Sequence, residues 1–516
     1  MMIKNLITIS IILIGISLWS CNTPTKEETK ETASKPDPNI GGLGMPRGLI
    51  SKTDEATPGY VIFSPLQSDT TYLVDLDGKV VHTWRSDYGP SGWLYLKENG
   101  NLVRGGRQPD APVFGGGGQG GRIQEFNWDG ELIWDYKYAT ENHLAHHDVS
   151  IMPNGNILVL AWETKTPEEA IQAGRKPEFI PKAGLWPDKV VEIKPVGKDD
   201  AEIIWEWHMW DHMVQNNDQT KDNYGIPSEH TGLLDINSGA YLPKPITQEE
   251  LNKALANNNA VTNATLDNRG SDLYHMNAID YNAELDQIVL SSPALDEILI
   301  IDHSTTTQEA ATHTGGRWGK GGDYLYRWGN PEKYGRGDST NHKLGGQHDV
   351  KWIPKDFPGG GHLMVYNNNV TNSKKPHSAV YELIPPLTEK GYELSGDGKF
   401  GPDEPSWKFV AADTMAAFSP FISGAHRMAN GNTFVTVGAK GRYIEVTPEG
   451  KIVWDYWTPY AGSVRMKDGT TPQPVGNLAY ATFRATHIPI DHPAIKDKVL
   501  KPLDPQPAVY KEVKKE

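Results

Sequence analysis

Cysteine is nearly missing from this chain: 516 residues contain one, Cys21. No intrachain disulfide can form, so a fold of this length must be held by its core alone. A long basic run is also missing, and the formal charge is −15. Phosphate binding needs clustered Lys and Arg, so the composition argues against nucleic acid as a partner. It does not exclude an anionic ligand, because a local funnel can be positive on a negative protein. The longest apolar stretch, Leu6 to Trp19, is too short for a comfortable membrane span. With Gly 52 and Pro 37, the chain is too rich in turn formers for a helical protein. Phe is scarce, 11 against Trp 16 and Tyr 21, a balance that suits sheets packed face to face.

The apolar stretch follows Lys4 and stops at Cys21, which reads as a signal peptide over residues 1–20. Leu18-Trp19-Ser20-Cys21 resembles a lipobox, after which the cysteine is lipidated. The expectation is an exported protein, lipid-anchored at a bacterial membrane through Cys21 and facing the periplasm or the surface. Residues 21–44, polar and Pro-containing, read as a flexible tether.

What is abundant is a recurring phrase: a turn, an apolar run, then Trp. VDLDGKVVHTW ends at Trp84, FNWDGELIW at Trp134 and EVTPEGKIVW at Trp454, with looser copies at Trp207, Trp328 and Trp407. A second phrase follows most copies: HHDVSIMPNGNILVL from His146, HMNAIDYNAELDQIVL from His275, QHDVKW from Gln347, AHRMANGNTFVTV from Ala425. A period of tens of residues built from short strands predicts an all-β, six-bladed β-propeller over residues 45–500, followed by a tail over 501–516. The last unit, YATFRATHIP, is expected to be closed by the N-terminal strand GYVIFSP. Three insertions, roughly 163–188, 208–272 and 303–346, decorate a rim, and ITQEELNKALANNN within the second predicts a helix capped by Thr247 and Glu250. The run VFGGGGQGGR from Val113 lacks the strand–turn–helix context of a dinucleotide loop and reads as a mobile loop.

His147, His275, His348 and His426 each stand just before a strand turns into alternation. Equivalent inner-strand positions converge on a propeller axis, so these four are expected to line one funnel, with Arg484 bringing a permanent positive charge. Capping of the inner strands is the competing structural role. Convergent imidazoles can hold a metal, bind an anion, or act as base and nucleophile. No tight ligand spacing occurs, so neither a metal nor a cofactor is expected at the axis. Trp93 and Trp162 are candidates to stack an aromatic ring, with blade packing as the alternative.

In the serial order of these features, residues 60–490 resemble the bacterial arylsulfate sulfotransferases, PAPS-independent propeller enzymes. HDVSIMPNGNILVLAWE with KVVEIKPVG, then HMNAIDYNAELDQIVLSS, GQHDVKW with HLMVYNN, and FRAT carry the resemblance. It implies transfer of a sulfuryl group from a small phenolic sulfate donor to a phenolic acceptor through a sulfohistidine, with no cofactor. It places His275 and His348 on sulfuryl-binding histidines and gives His348 a part in proton transfer. His147, Asn277, Asn372 and Thr482 are the further substrate-binding candidates. The family's nucleophile position holds Thr482 here, two residues before Arg484, and the family's sulfate-binding arginine falls near Asn372, with Lys374 next. The family's N-terminal β-sandwich has little room before residue 60, and the disulfide of some members cannot form. His426 is the expected replacement nucleophile; His487 is the second choice. Two other readings stand beside transfer: a propeller lyase or sulfatase-like enzyme with a His-bound metal, and a binding lipoprotein that lost its nucleophile.

Overall fold

The computed structural model describes residues 45–256, 263–462 and 479–509. Six antiparallel sheets of four or five strands follow one another along the chain, each a blade. From innermost to outermost strand, blade one runs from Pro90–Leu96 to Leu132–Lys137 and blade two from His143–Ile151 to Asp200–His208. Blade three runs from Ala278–Asn282 to Tyr326–Trp328, blade four from His348–Trp352 to Trp407–Phe409, and blade five from Gly424–Arg427 to Ile452–Trp457. Blade six joins both ends of the chain: Thr482–Pro489 is innermost and pairs antiparallel with Gly59–Pro65. Gly48–Lys52 adds a fifth strand to blade five. The ring is the six-bladed propeller that the repeats predict. Cys21, the signal peptide and the tether lie outside the described residues, among which no helix is long and apolar enough to cross a membrane.

The two halves of the repeated phrase have separate jobs. The turn glycine closes a hairpin by adopting positive φ, +76° at Gly78, +84° at Gly130, +88° at Gly155, +92° at Gly431 and +84° at Gly450, which a side chain would resist. The tryptophan ties each blade to the next. Trp84 donates its indole N–H to the Asn127 carbonyl (3.0 Å), Trp134 to Asp200 (3.0 Å) and Trp207 to Gly322 (2.8 Å). Trp328 donates to Pro402 (2.7 Å), Trp407 to Pro448 (2.7 Å) and Trp454 to Leu76 (2.9 Å), which closes the circle. Each tie adds ~1 kcal/mol to the apolar burial of a large ring. Both faces of the strands are apolar because each blade is sandwiched: Trp93, Val103 and Ile123 of blade one pack on Val149, Ile157 and Val159 of blade two.

The insertions supply the short helices. Gln248–Ala256 is capped as expected: the Thr247 hydroxyl accepts from the Glu250 N–H (3.2 Å), and Glu250 accepts from the Thr247 N–H (2.7 Å).

One irregularity prepares the site. Strand register slips opposite the inner strands at Ala145–Val149, His348–Lys351, Pro90–Leu94 and Thr482–Ala485. Left-handed residues cluster at the same level: His147 (φ +53°), His275 (+50°), Asp349 (+58°), Ile422 (+51°) and Ser423 (+91°). A bulge or left-handed residue interrupts alternation and re-aims side chains. Strain repeated around an axis in non-glycine residues marks a functional site.

Candidate active site

Three histidines meet at one end of the axis. The rings of His147 and His275 lie 4.4 Å apart, edge to face, and Phe483 stands 6.2 Å from both His147 and His348. His275 Nδ1 hydrogen-bonds Asp272 Oδ2, and Asp272 Oδ1 accepts the Trp162 indole N–H at 3.0 Å. The imidazole is therefore held by Nδ1, and Nε2 is left for the funnel. Burial opposes charge on His275, but Asp272, through its charge and its hydrogen bond, outweighs burial and raises its pKa.

His147 heads a different chain. Its Nδ1 lies 2.7 Å from His146 Nδ1, and His146 Nε2 lies 2.9 Å from Asp188 Oδ1, close but poorly aligned for a hydrogen bond. Burial, and then the charge of Asp272, push the Asp188 carboxyl well above the usual range. Burial holds His147 far below its ordinary value. A carboxyl that tends to keep its proton thus stands behind two neutral imidazoles that reach the funnel.

His348 is committed on both nitrogens. Nδ1–H donates to the Gly346 carbonyl and Asn368 Oδ1, both 2.9 Å away, and Nε2 accepts the Ile422 N–H at 3.2 Å. Burial pushes its pKa down to about 3. This leaves it a shaped neutral wall, not a free acid or base.

Arg484 lies one layer deeper and is already neutralised. Nη1 is 2.7 Å from Asp148 Oδ2 and Nε is 2.7 Å from Asp349 Oδ1. Lys351 approaches Asp148 to 3.5 Å and donates to the Tyr95 hydroxyl at 2.9 Å. Burial opposes the guanidinium charge, and Asp148 and Asp349 more than restore it. This buried network plugs the axis beneath the funnel. It is not an open sulfate clamp.

Several residues that the sequence places in the funnel lie elsewhere. His426 does not join the funnel. Ile422 is the blade-five residue that touches His348, and His426 lies four residues further along, on the order of 10 Å away. Its ring packs 5.3 Å from Phe434, and burial, then the charges of His487 and Lys351, depress its pKa to about 3. Thr482 is fully buried and faces blade five, 2.8 Å from the Tyr443 hydroxyl. Asn372 is exposed, and its side chain donates to Ser339 (3.3 Å); Asn368 is the asparagine that reaches His348. Asn277 is fully buried and donates to the Gln347 carbonyl at 2.8 Å, so it ties blades together. His487 bonds the Thr57 carbonyl at 3.1 Å. Trp93 and Trp162 are buried; Trp162 stacks on His146 at 4.1 Å and steadies Asp272.

Residues that the sequence reading did not single out complete the site: Asp272, His146, Asp188 and the glycine run. That run lies against the histidines. A Cβ on Gly118 would stand 2.2 Å from the His147 ring and one on Gly116 2.9 Å from Trp162, so glycine lets the backbone rest on the imidazoles.

The buried histidines make stability pH-dependent. Burial pushes His146 and His348 down to about 3 in the folded state, against 6.5 when unfolded. The unfolded chain then binds more protons below pH 6.5, so stability falls as pH drops from there toward 3, by up to ~1.4 kcal/mol per pH unit for each group. His275 and His303, with raised values, act in the opposite direction: their contribution is present at low pH and lost as pH rises through their folded pKa. The expected result is a melting temperature that declines steeply from pH 6.5 to 4 in a thermal melt series. A flat profile would contradict the neutral assignment of His146 and His348.

Residues 50–458 match the family described as Arylsulfotransferase (ASST). Comparison with curated proteins finds no match. Among solved structures, the chain is similar to a protein of unknown function from Bacteroides caccae, with 10% identity and a TM-score of 0.39, covering 78% of this chain and 94% of that one. It is also similar to apo AztD from Citrobacter koseri, with 10% identity and a TM-score of 0.33, covering 84% and 99%. Likenesses this remote carry no argument about the chemistry. The family match spans most of the propeller, and the chain belongs to the arylsulfotransferase family, PAPS-independent enzymes that move a sulfuryl group from an aryl sulfate to a phenol.

Proposed function

We propose that this enzyme transfers sulfuryl groups through His275, with Asp272 as the residue that positions it. The observation that carries the reading is the Asp272–His275 hydrogen bond, which fixes the proton on Nδ1 and leaves the Nε2 lone pair toward the funnel. Nε2 attacks sulfur in line as the S–O bond to the aryl group breaks, giving N-sulfohistidine and a phenolate. His147 donates a proton to that phenolate, drawing on His146 and Asp188, and then accepts one from the incoming phenol. The acceptor oxygen takes the sulfuryl group and restores His275. Phe483 offers the ring face against which an aryl group would lie. Because the dyad supplies a nucleophile without Thr482, loss of histidine at that position does not imply loss of catalysis.

Nitrophenyl sulfate with phenol is the direct assay. The expected result is ping-pong kinetics, with kcat/KM rising with pH through an apparent pKa above 6.5, because His275 must be neutral to attack. Asp272→Asn should slow the enzyme and move that limb to lower pH. A rate independent of pH over this range, or sequential kinetics, would remove His275 from the nucleophile role.

The anchoring rests on Leu18-Trp19-Ser20-Cys21 alone. We propose an exported lipoprotein, and Cys21→Ser is expected to move it from the membrane to the soluble exported fraction. Unchanged membrane retention would rule the lipid anchor out.

A further inference from the structure

We infer that His212, His313 and Asp323 form a zinc site on the rim, clamping the exit of blade two to the insertion of blade three. His212 ends the turn Met209–His212 that follows blade two, while His313 and Asp323 lie in the loop before Tyr326–Trp328 of blade three. Asp323 Oδ1 stands 2.8 Å from His212 Nδ1 and 2.7 Å from His313 Nδ1. The three donor atoms lie within 4.8 Å of one another.

The other nitrogen of His212 decides the reading. Nε2 lies 2.8 Å from the Ala310 carbonyl, which can only accept, so the proton of a neutral His212 sits on Nε2. Nδ1 then presents a lone pair to a carboxylate oxygen, and two facing acceptors need a positive centre between them, a metal ion or a proton. A metal-bound histidine commonly donates its other ring N–H to a backbone carbonyl, as His212 Nε2 does to Ala310. The fit is built into the packing. His212 is fully buried and stacked on Trp207 at 5.6 Å, and a Cβ on Gly322 would stand 2.5 Å from His212 Nε2.

Two imidazoles and one carboxylate are zinc donors, and donor–donor edges around tetrahedral zinc are ~3.3 Å, about half an ångström wider than those seen here. The His313 side chain is 59% exposed, so the site is walled by His212 inside and open to solvent outside, which leaves a fourth position for water. The ion would join residues far apart in sequence on adjacent blades, and its role would be to lock the rim beside the 208–272 insertion that carries Asp272.

Metal-free full-length protein titrated with zinc tests this by elemental analysis and thermal melting. One zinc per chain is expected, with a melting temperature raised by roughly 3 °C at about 100 times Kd. His313→Ala, at an exposed position, and Asp323→Asn should each weaken binding by more than the roughly 10–100-fold that loss of an outer-shell partner costs. Magnesium, which seeks oxygen donors, should not substitute. His275→Ala should keep its zinc. Zinc lost with His275→Ala but retained in His313→Ala would place the ion in the funnel and overturn the rim site. No zinc on the wild type would overturn it as well, leaving a triad that shares a proton.

Discussion

His275→Ala is expected to lower sulfuryl transfer by at least ~10³-fold, with no covalent intermediate, while the fold and the melting temperature change little. The side chain is only partly buried, and its contacts, Asp272 and the edge of His147, are residues of the site, so its removal should act on chemistry. His426→Ala makes the contrast. It follows Ala425, whose N–H bonds Asp349 of the Arg484 layer, and it packs on Phe434, so the expected outcome is near-normal turnover. Stopped-flow release of nitrophenol from both variants reads the difference. A fully active His275→Ala with an inactive His426→Ala would return the nucleophile to blade five.

Arg484→Met should act on stability first. The substitution leaves Asp349 and, apart from Lys351, Asp148 buried without a cationic partner, a defect of ~3–5 kcal/mol. The expected observations are a lower melting temperature and lower soluble yield. If Arg484 instead bound the sulfate, the variant would melt like the wild type and only KM would rise.

The propeller was legible because its two repeated devices are local. A glycine at the turn and a tryptophan at the strand end can be read without knowing what they touch, and the tryptophans prove to be the blade ties. The funnel was half legible. His147, His275 and His348 meet there, but His426 was matched by residue type and not by its distance from the turn. His147 lies eight residues before Gly155, and the residue eight before Gly431 is Ser423. Counting back from the glycines would have found the register. Asp272 left no local signal, because it ends a long insertion and reaches His275 only through the left-handed turn at Tyr274 and His275. Arg484 looked like an open cation because its partners, Asp148 and Asp349, are far away in sequence and meet it only across the axis. The glycine run read as a mobile loop because its contacts, His147 and Trp162, come from the next blade.

In this mechanism the sulfuryl group rests on His275 Nε2 between donor and acceptor. The most direct measurement is to quench the enzyme during turnover of nitrophenyl sulfate without acceptor and map the peptides by mass spectrometry under alkaline conditions. The mass of one sulfuryl group on His275, absent in His275→Ala and lost when phenol is added, is the predicted result. The same mass on His147, His348 or His426, or no modified peptide from an enzyme that turns over, would contradict it.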